Sequence, residues 1–287
     1  MTAVDLVRAF RLAAGFKGPI CVLSGFLDAT ACPDEPKYAG VAAYLFDESG
    51  LAAFEGGLTK IKATFAAKGL PFDNFHASKC CGNRGYAHFK NWDDQSRADL
   101  SREMALLTAS TRTAGFVAFA QTADFENIRG RDGRIADLMG GGIYPAVLYY
   151  CIDMIAAFAK KKNERVWFWI EKGDDKQRNA EVGLQRIRDN KQLKERFSFE
   201  NYNIIPKDHL AAAPIMSADH LAWECKKIFW ELLRLANDGV PHDGSTLSEN
   251  FKILRGKEQS KWFEVHLGPG ALEVRALVSR FYNLMTP

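Results

Sequence analysis

No Cys-x-x-Cys pair occurs in this chain, although it has six cysteines, at positions 21, 32, 80, 81, 151 and 225. Scattered in this way they give neither a disulfide framework nor a standard zinc spacing. His76, Cys80, Cys81 and His88 come nearest to a zinc knuckle, but adjacent cysteines fit poorly around one tetrahedral ion. Long apolar runs are also missing. The N-terminal stretch MTAVDLVRAFRLAAGFKG is broken by Asp5, Arg8 and Arg11, so it reads as a short amphipathic helix and not a secretory signal. Ile143 to Ala159, the most apolar later segment, carries Asp153 and is too short for a bilayer. The expectation is a cytoplasmic protein with no membrane partner. A strong charge of one sign is absent too. The net charge is +3 and the pI about 8.4, so a nucleic-acid surface would have to be a local patch. There is no internal repeat, Walker loop, dinucleotide glycine fingerprint, Gly-x-Ser-x-Gly elbow or His-Glu-x-x-His motif. The glycine-rich MGGGIYP, Met139 to Pro145, has amides for an anion, but it follows a polar stretch instead of a strand and reads as a loop.

What is present is an alternation of strands and helices along 287 residues, enough for one large domain. ICVLSGFLDAT and YAGVAAYLF flank a proline-bearing turn and read as an antiparallel hairpin. Leu51, Phe54, Leu58, Ile61 and Phe65 then recur at helical spacing, stopped by Gly69. Further helices are expected over 93–113, 143–162, 214–235 and 272–284. One charged surface helix is expected over DKQRNAEVGLQRIRDNKQLKERF. Strands are expected at GFVAFA, RVWFWIE and NYNIIP. The fold class is α/β: a mixed sheet that starts with an antiparallel hairpin and has helices on both faces. Residues 1–19 form an N-terminal helix, 20–238 the main domain, and 239–287 a C-terminal extension packed on the same domain.

Three acids stand out by position. Asp28 interrupts an apolar strand, Glu171 ends VWFWIE, and Asp219 sits in the apolar helix PIMSADHLAWECKKIFW. Taken singly they also fit a turn, a strand end and a helix first turn. Together, buried carboxylates need pairing, hydrogen bonds or a metal. Oxygen-only ligands select Mg²⁺ or Mn²⁺, and two such ions can activate water and stabilise the leaving oxygen of a phosphodiester.

FHASKCCGNRGYAHFKNWD, with Phe75, His76, Gly85, Phe89 and Trp92, resembles the middle block of a bacterial family of unknown function with a ribonuclease H-like fold. VWFWIEKGDD resembles its later strand. PIMSADHLAWE, with Ala218, Asp219 and Leu221, resembles its closing helix. The likeness covers about Ile20 to Trp230. The family's first strand ends in Asp-Glu-Ser-Gly. Here DESG at Asp47 follows the second strand and directly precedes a helix, so Asp28 takes the first-strand place, with Ala29, Thr30 and Ala31 replacing the usual letters. Asp47 or Ser49 is then a helix cap.

The resemblance implies a metal-dependent nuclease, or a relative that has lost that activity and serves as a binding or scaffold protein in a defence or mobile-element system. It makes Asp28, Glu171 and Asp219 the ligands of Mg²⁺ or Mn²⁺ and places His76 and Lys79 at phosphate. Lys172, Lys176 and Arg178 would hold a nucleic-acid backbone. Tyr86 and Trp92 would stack on bases, or else be buried. His220, beside Asp219, is a second candidate for substrate contact, or a solvent-facing helix residue. A small-molecule enzyme using the acids differently is the third reading.

Overall fold

The computed structural model describes residues 5, 8–9, 22–31, 38–82, 87–123, 125–126, 142–172, 177–206, 213–237, 248–250, 253 and 262–267. The expected helix over 272–284, most of the one over 1–19, and Gly85, Tyr86 and Lys176 lie outside them, as do the side chains of His88 and Arg178. Six strands form one mixed sheet: β1 (Val22–Ala31), β2 (Tyr38–Phe46), β3 (Ala114–Gln121), β4 (Arg165–Glu171), β5 (Phe199–Ile205) and β6 (Trp262–Leu267). Their order is β5-β4-β1-β2-β3-β6. β2 is antiparallel to both β1 and β3, while β4 pairs parallel with β1, β5 with β4 and β6 with β3. Every strand except β2 therefore runs the same way, and β1, β4 and β5 end on one common edge.

Side chains alternate between the two faces of a strand. Phe26, Ala42, Tyr44, Trp167 and Trp169 enter one core cluster. Leu23, Leu27, Val41, Ala43, Phe168 and Ile170 enter the other. On the first face lie α1 (Glu48–Ala67), the short α2 (Ala77–Cys81), α3 (Asp94–Thr111) and α7 (Ile215–Asn237). On the second lie α4 (Ile143–Lys162), α5 (Gln177–Asp189) and α6 (Lys191–Arg196). α4 is long and apolar enough to cross a membrane, but 67% of its apolar window is buried inside the protein. It is the main helix of the second core.

The DESG letters build a helix start. The Asp47 carboxylate accepts from the Gly50 amide at 2.7 Å and from the Ser49 hydroxyl at 2.8 Å, satisfying donors that an uncapped first turn leaves open. α1 ends at Lys68, and Gly69 takes φ +76°, a conformation that glycine adopts without strain. The charged segment after β4 corrects the sequence reading of a single helix. Asn190 ends α5, and its side chain accepts from the Leu193 amide at 3.1 Å to start α6.

Candidate functional site

The carboxyl edge of β1 and β4 collects the acids. Asp28 pairs across the sheet with Ala42, and Glu171 with Ile205. Both partners belong to the first-face core, so both carboxylates emerge on that face. Leu27 lies opposite Ile170, and one step further along these parallel strands Asp28 comes beside Glu171. Asp28 is buried and Glu171 half-buried. A stacked pair, Phe26 and Trp169 at 6.1 Å, occupies the preceding positions on the same face. Two neighbouring carboxylates above an aromatic floor repel each other with little water below to screen them.

α7 brings the third acid. It follows β5, packs mainly on β1 and β2, and starts at Ile215, so its early turns lie toward the edge where β5 ends. Asp219 is buried there. Its Oδ2 accepts from the Ala77 amide at 2.6 Å and lies 3.3 Å from His76 Nδ1. The Ser78 hydroxyl is 3.2 Å from the same ring nitrogen. One oxygen of Asp219 thus orders the entry to α2 and the half-buried His76. Among the described residues no group of three or more His, Cys, Asp or Glu side chains is gathered to hold one ion. The donor chemistry, carboxylate oxygen only, nonetheless suits a hard divalent cation.

The remaining candidates separate. Lys79 and Lys172 are exposed, and the Lys172 amide donates to Ile205 at 2.8 Å, holding it beside Glu171. Trp92 does not present its ring for base stacking: it is buried and stacks on Phe65 at 5.5 Å. His220 needs correction on both readings, because it is 0% exposed and so neither meets a substrate nor faces solvent. Successive helical residues point about 100° apart. Asp219 consequently faces α2, while His220 Nε2 meets the Ser101 hydroxyl of α3 at 3.0 Å. Ser101 also takes hydrogen bonds from Cys81 at 3.3 Å and Asn250 at 2.8 Å. Glu224, 4.0 Å from His220 Nε2, is buried and binds Lys227 and Ser248. Residues 248–250 thereby fasten onto α3 and α7. Burial, partly opposed by Glu224 and Asp219, lowers the His220 pKa to about 4.

Sequence reasoning missed Tyr144. It is the second residue of α4, behind the glycine-rich stretch. Burial first, then the charges of Asp28 and Glu171, push its pKa well above the ordinary tyrosine value. Comparison with models of known families and with characterised proteins gives no match.

Proposed function

We propose that this chain is a divalent-metal-dependent nuclease with a ribonuclease H-like fold. The single observation that carries the reading is the strand register: Leu27 opposite Ile170 sets Asp28 beside Glu171 on the face that α7 crosses. A mixed sheet opening with an antiparallel hairpin, with acids from its first strand, a later parallel strand and a closing helix, supports the fold assignment. Asp28 and Glu171 would hold Mg²⁺ or Mn²⁺, with Asp219 approaching from α7. The bound cation supplies an acidified water and charge stabilisation for the leaving oxygen. Asp28 and Glu171 exclude anions from their edge until that charge is neutralised. His76, ordered by Asp219, and the exposed Lys79 and Lys172 offer donors to phosphate oxygens. Nucleic acid is the partner this chemistry fits, in a cytoplasmic setting.

The test is cleavage of single- and double-stranded DNA and RNA with Mn²⁺, comparing wild type with Asp28→Asn and Glu171→Gln, beside calorimetric titration with Mn²⁺. Cleavage and heat are expected in wild type and lost in both variants. Full cleavage by a contaminant-free Asp28→Asn preparation refutes the reading. A second reading has its own observation: Asp219 Oδ2 is already engaged by the Ala77 amide at 2.6 Å. On that reading the fold is a catalytically silent binding or scaffold protein of a defence or mobile-element system. It then gives no Mn²⁺ heat, and Asp28→Asn leaves partner binding intact.

A further inference from the structure

Two adjacent thiols fasten the end of α2 to α3. Cys80 and Cys81 are the last two residues of α2. The Cys80 thiol donates to the Arg97 carbonyl at 3.7 Å, and the Cys81 thiol donates to the Ser101 hydroxyl at 3.3 Å. Both acceptors belong to α3. At its other end α2 presents the Ala77 amide to Asp219. The two sulfurs differ in access: Cys80 is 1% exposed, while Cys81 is half-buried. They differ in character as well. A hydrogen bond with Cys80, opposed by burial and assisted by Ser101, holds the Cys81 thiol below its ordinary pKa, while the same bond and burial push Cys80 up. A reachable sulfur with thiolate character beside a buried, protonated one is the arrangement of an attacking and a resolving thiol. Adjacent Cα atoms stand about 3.8 Å apart, below the usual lower limit of about 4.4 Å for a disulfide, and successive helical side chains diverge by about 100°. A Cys80–Cys81 bond therefore requires the backbone to leave the helix. The loss is confined to one turn, because α2 has five residues and the pair ends it.

We propose that Cys80 and Cys81 are an oxidation site, which a peroxide converts to a vicinal disulfide that releases the end of α2 from α3. The Cys81 thiolate attacks one oxygen of hydrogen peroxide. It becomes a sulfenic acid as the O–O bond breaks, and the departing hydroxide takes up the proton that Cys81 had lost. The Cys80 sulfur then attacks the Cys81 sulfur and displaces a second water. The sulfurs are oxidised and the peroxide is reduced to water. Neither sulfur keeps a proton, so the bonds to Arg97 and Ser101 are both lost, and a thiol reductant restores them. The pair's chemistry is independent of the nuclease reading, although its effect reaches Asp219 through Ala77. The experiment treats the full chain, as wild type, Cys80→Ser and Cys81→Ser, with hydrogen peroxide. Free thiols are then alkylated and the protein is digested with trypsin. Cleavage after Lys79 and Arg84 isolates Cys80-Cys81-Gly82-Asn83-Arg84, apart from the other four cysteines. The wild-type peptide is expected to lose two hydrogens and escape alkylation, and dithiothreitol reverses both. In Cys80→Ser the reaction stops at a Cys81 sulfenic acid that dimedone traps, and in Cys81→Ser the buried Cys80 stays reduced. Hydrogen exchange on the intact wild type is expected to show loss of protection over α2 on oxidation and its return on reduction. A wild-type peptide that stays fully alkylatable, a disulfide from Cys81 to any cysteine other than Cys80, or an oxidised pair with α2 protection unchanged overturns the inference, and the wild-type arm alone decides each of these.

Discussion

Lowering the pH from 7 to 5 is expected to cost the fold about 2 kcal/mol through His220 alone. Burial is the main cause of its lowered pKa, Lys227 adds to it, and Glu224 and Asp219 oppose it. The unfolded chain takes up a proton near pH 6.5 and the folded chain only near 4. Between those values the unfolded state binds more protons, so stability falls as pH falls. The contribution is complete above about pH 6.5 and is lost as the pH falls to about 4, a total loss of about 3 kcal/mol at 1.36 kcal/mol per pKa unit. Urea denaturation at pH 7, 6 and 5 measures it, with His220→Gln as the reference. The variant is less stable at pH 7, because it disturbs a buried network joined to Ser101, but its deficit should shrink by about 2 kcal/mol by pH 5. The subtraction removes every other titrating group common to both proteins. A deficit that stays constant or widens toward pH 5 would refute the buried neutral imidazole.

Asp47→Ala removes the acceptor of the Gly50 amide and is expected to lower stability by about 1 kcal/mol in urea denaturation. Gly56→Ala, where an added Cβ meets nothing within 4 Å, should raise stability by up to about 1 kcal/mol in the same assay. Gly50→Ala in the same helix should go the other way, by about 1 to 3 kcal/mol, because its new methyl would run into the Thr111 carbonyl oxygen, a backbone atom that cannot swing aside.

The strands and long helices could be read from the sequence because each carries its own period. Leu51, Phe54, Leu58 and Phe65 are all buried on one face of α1, as their spacing required. The apolar run of β4 left charged residues only at its two ends, Arg165 and Glu171. The split at Asn190 was harder to see, since asparagine tolerates an exposed helix surface and its capping role depends on where the chain turns. The sequence also showed that DESG precedes a helix, and the Asp47 cap is the physical result of that position.

The site was legible only as far as local parity reaches. Phe26 and Asp28 share a face, as do Trp167, Trp169 and Glu171, and this follows from alternation alone. That β1 and β4 are parallel neighbours, with Leu27 opposite Ile170, is long-range information no local pattern holds. His220 failed for the same reason: its partner Ser101 is 119 residues away, and adjacency to Asp219 says little on a helix. The register has a chemical consequence. Asp28 and Glu171 stand next to the stacked Phe26 and Trp169 rings, so the core side supplies no solvent to relieve their repulsion. At the open edge a divalent cation and the exposed Lys172 can act on them. Replacing Glu171 by Gln removes one of the two neighbouring charges and should abolish any Mn²⁺ response in calorimetric titration. An Mn²⁺ heat that survives in Glu171→Gln would mean that this carboxylate does not hold the ion.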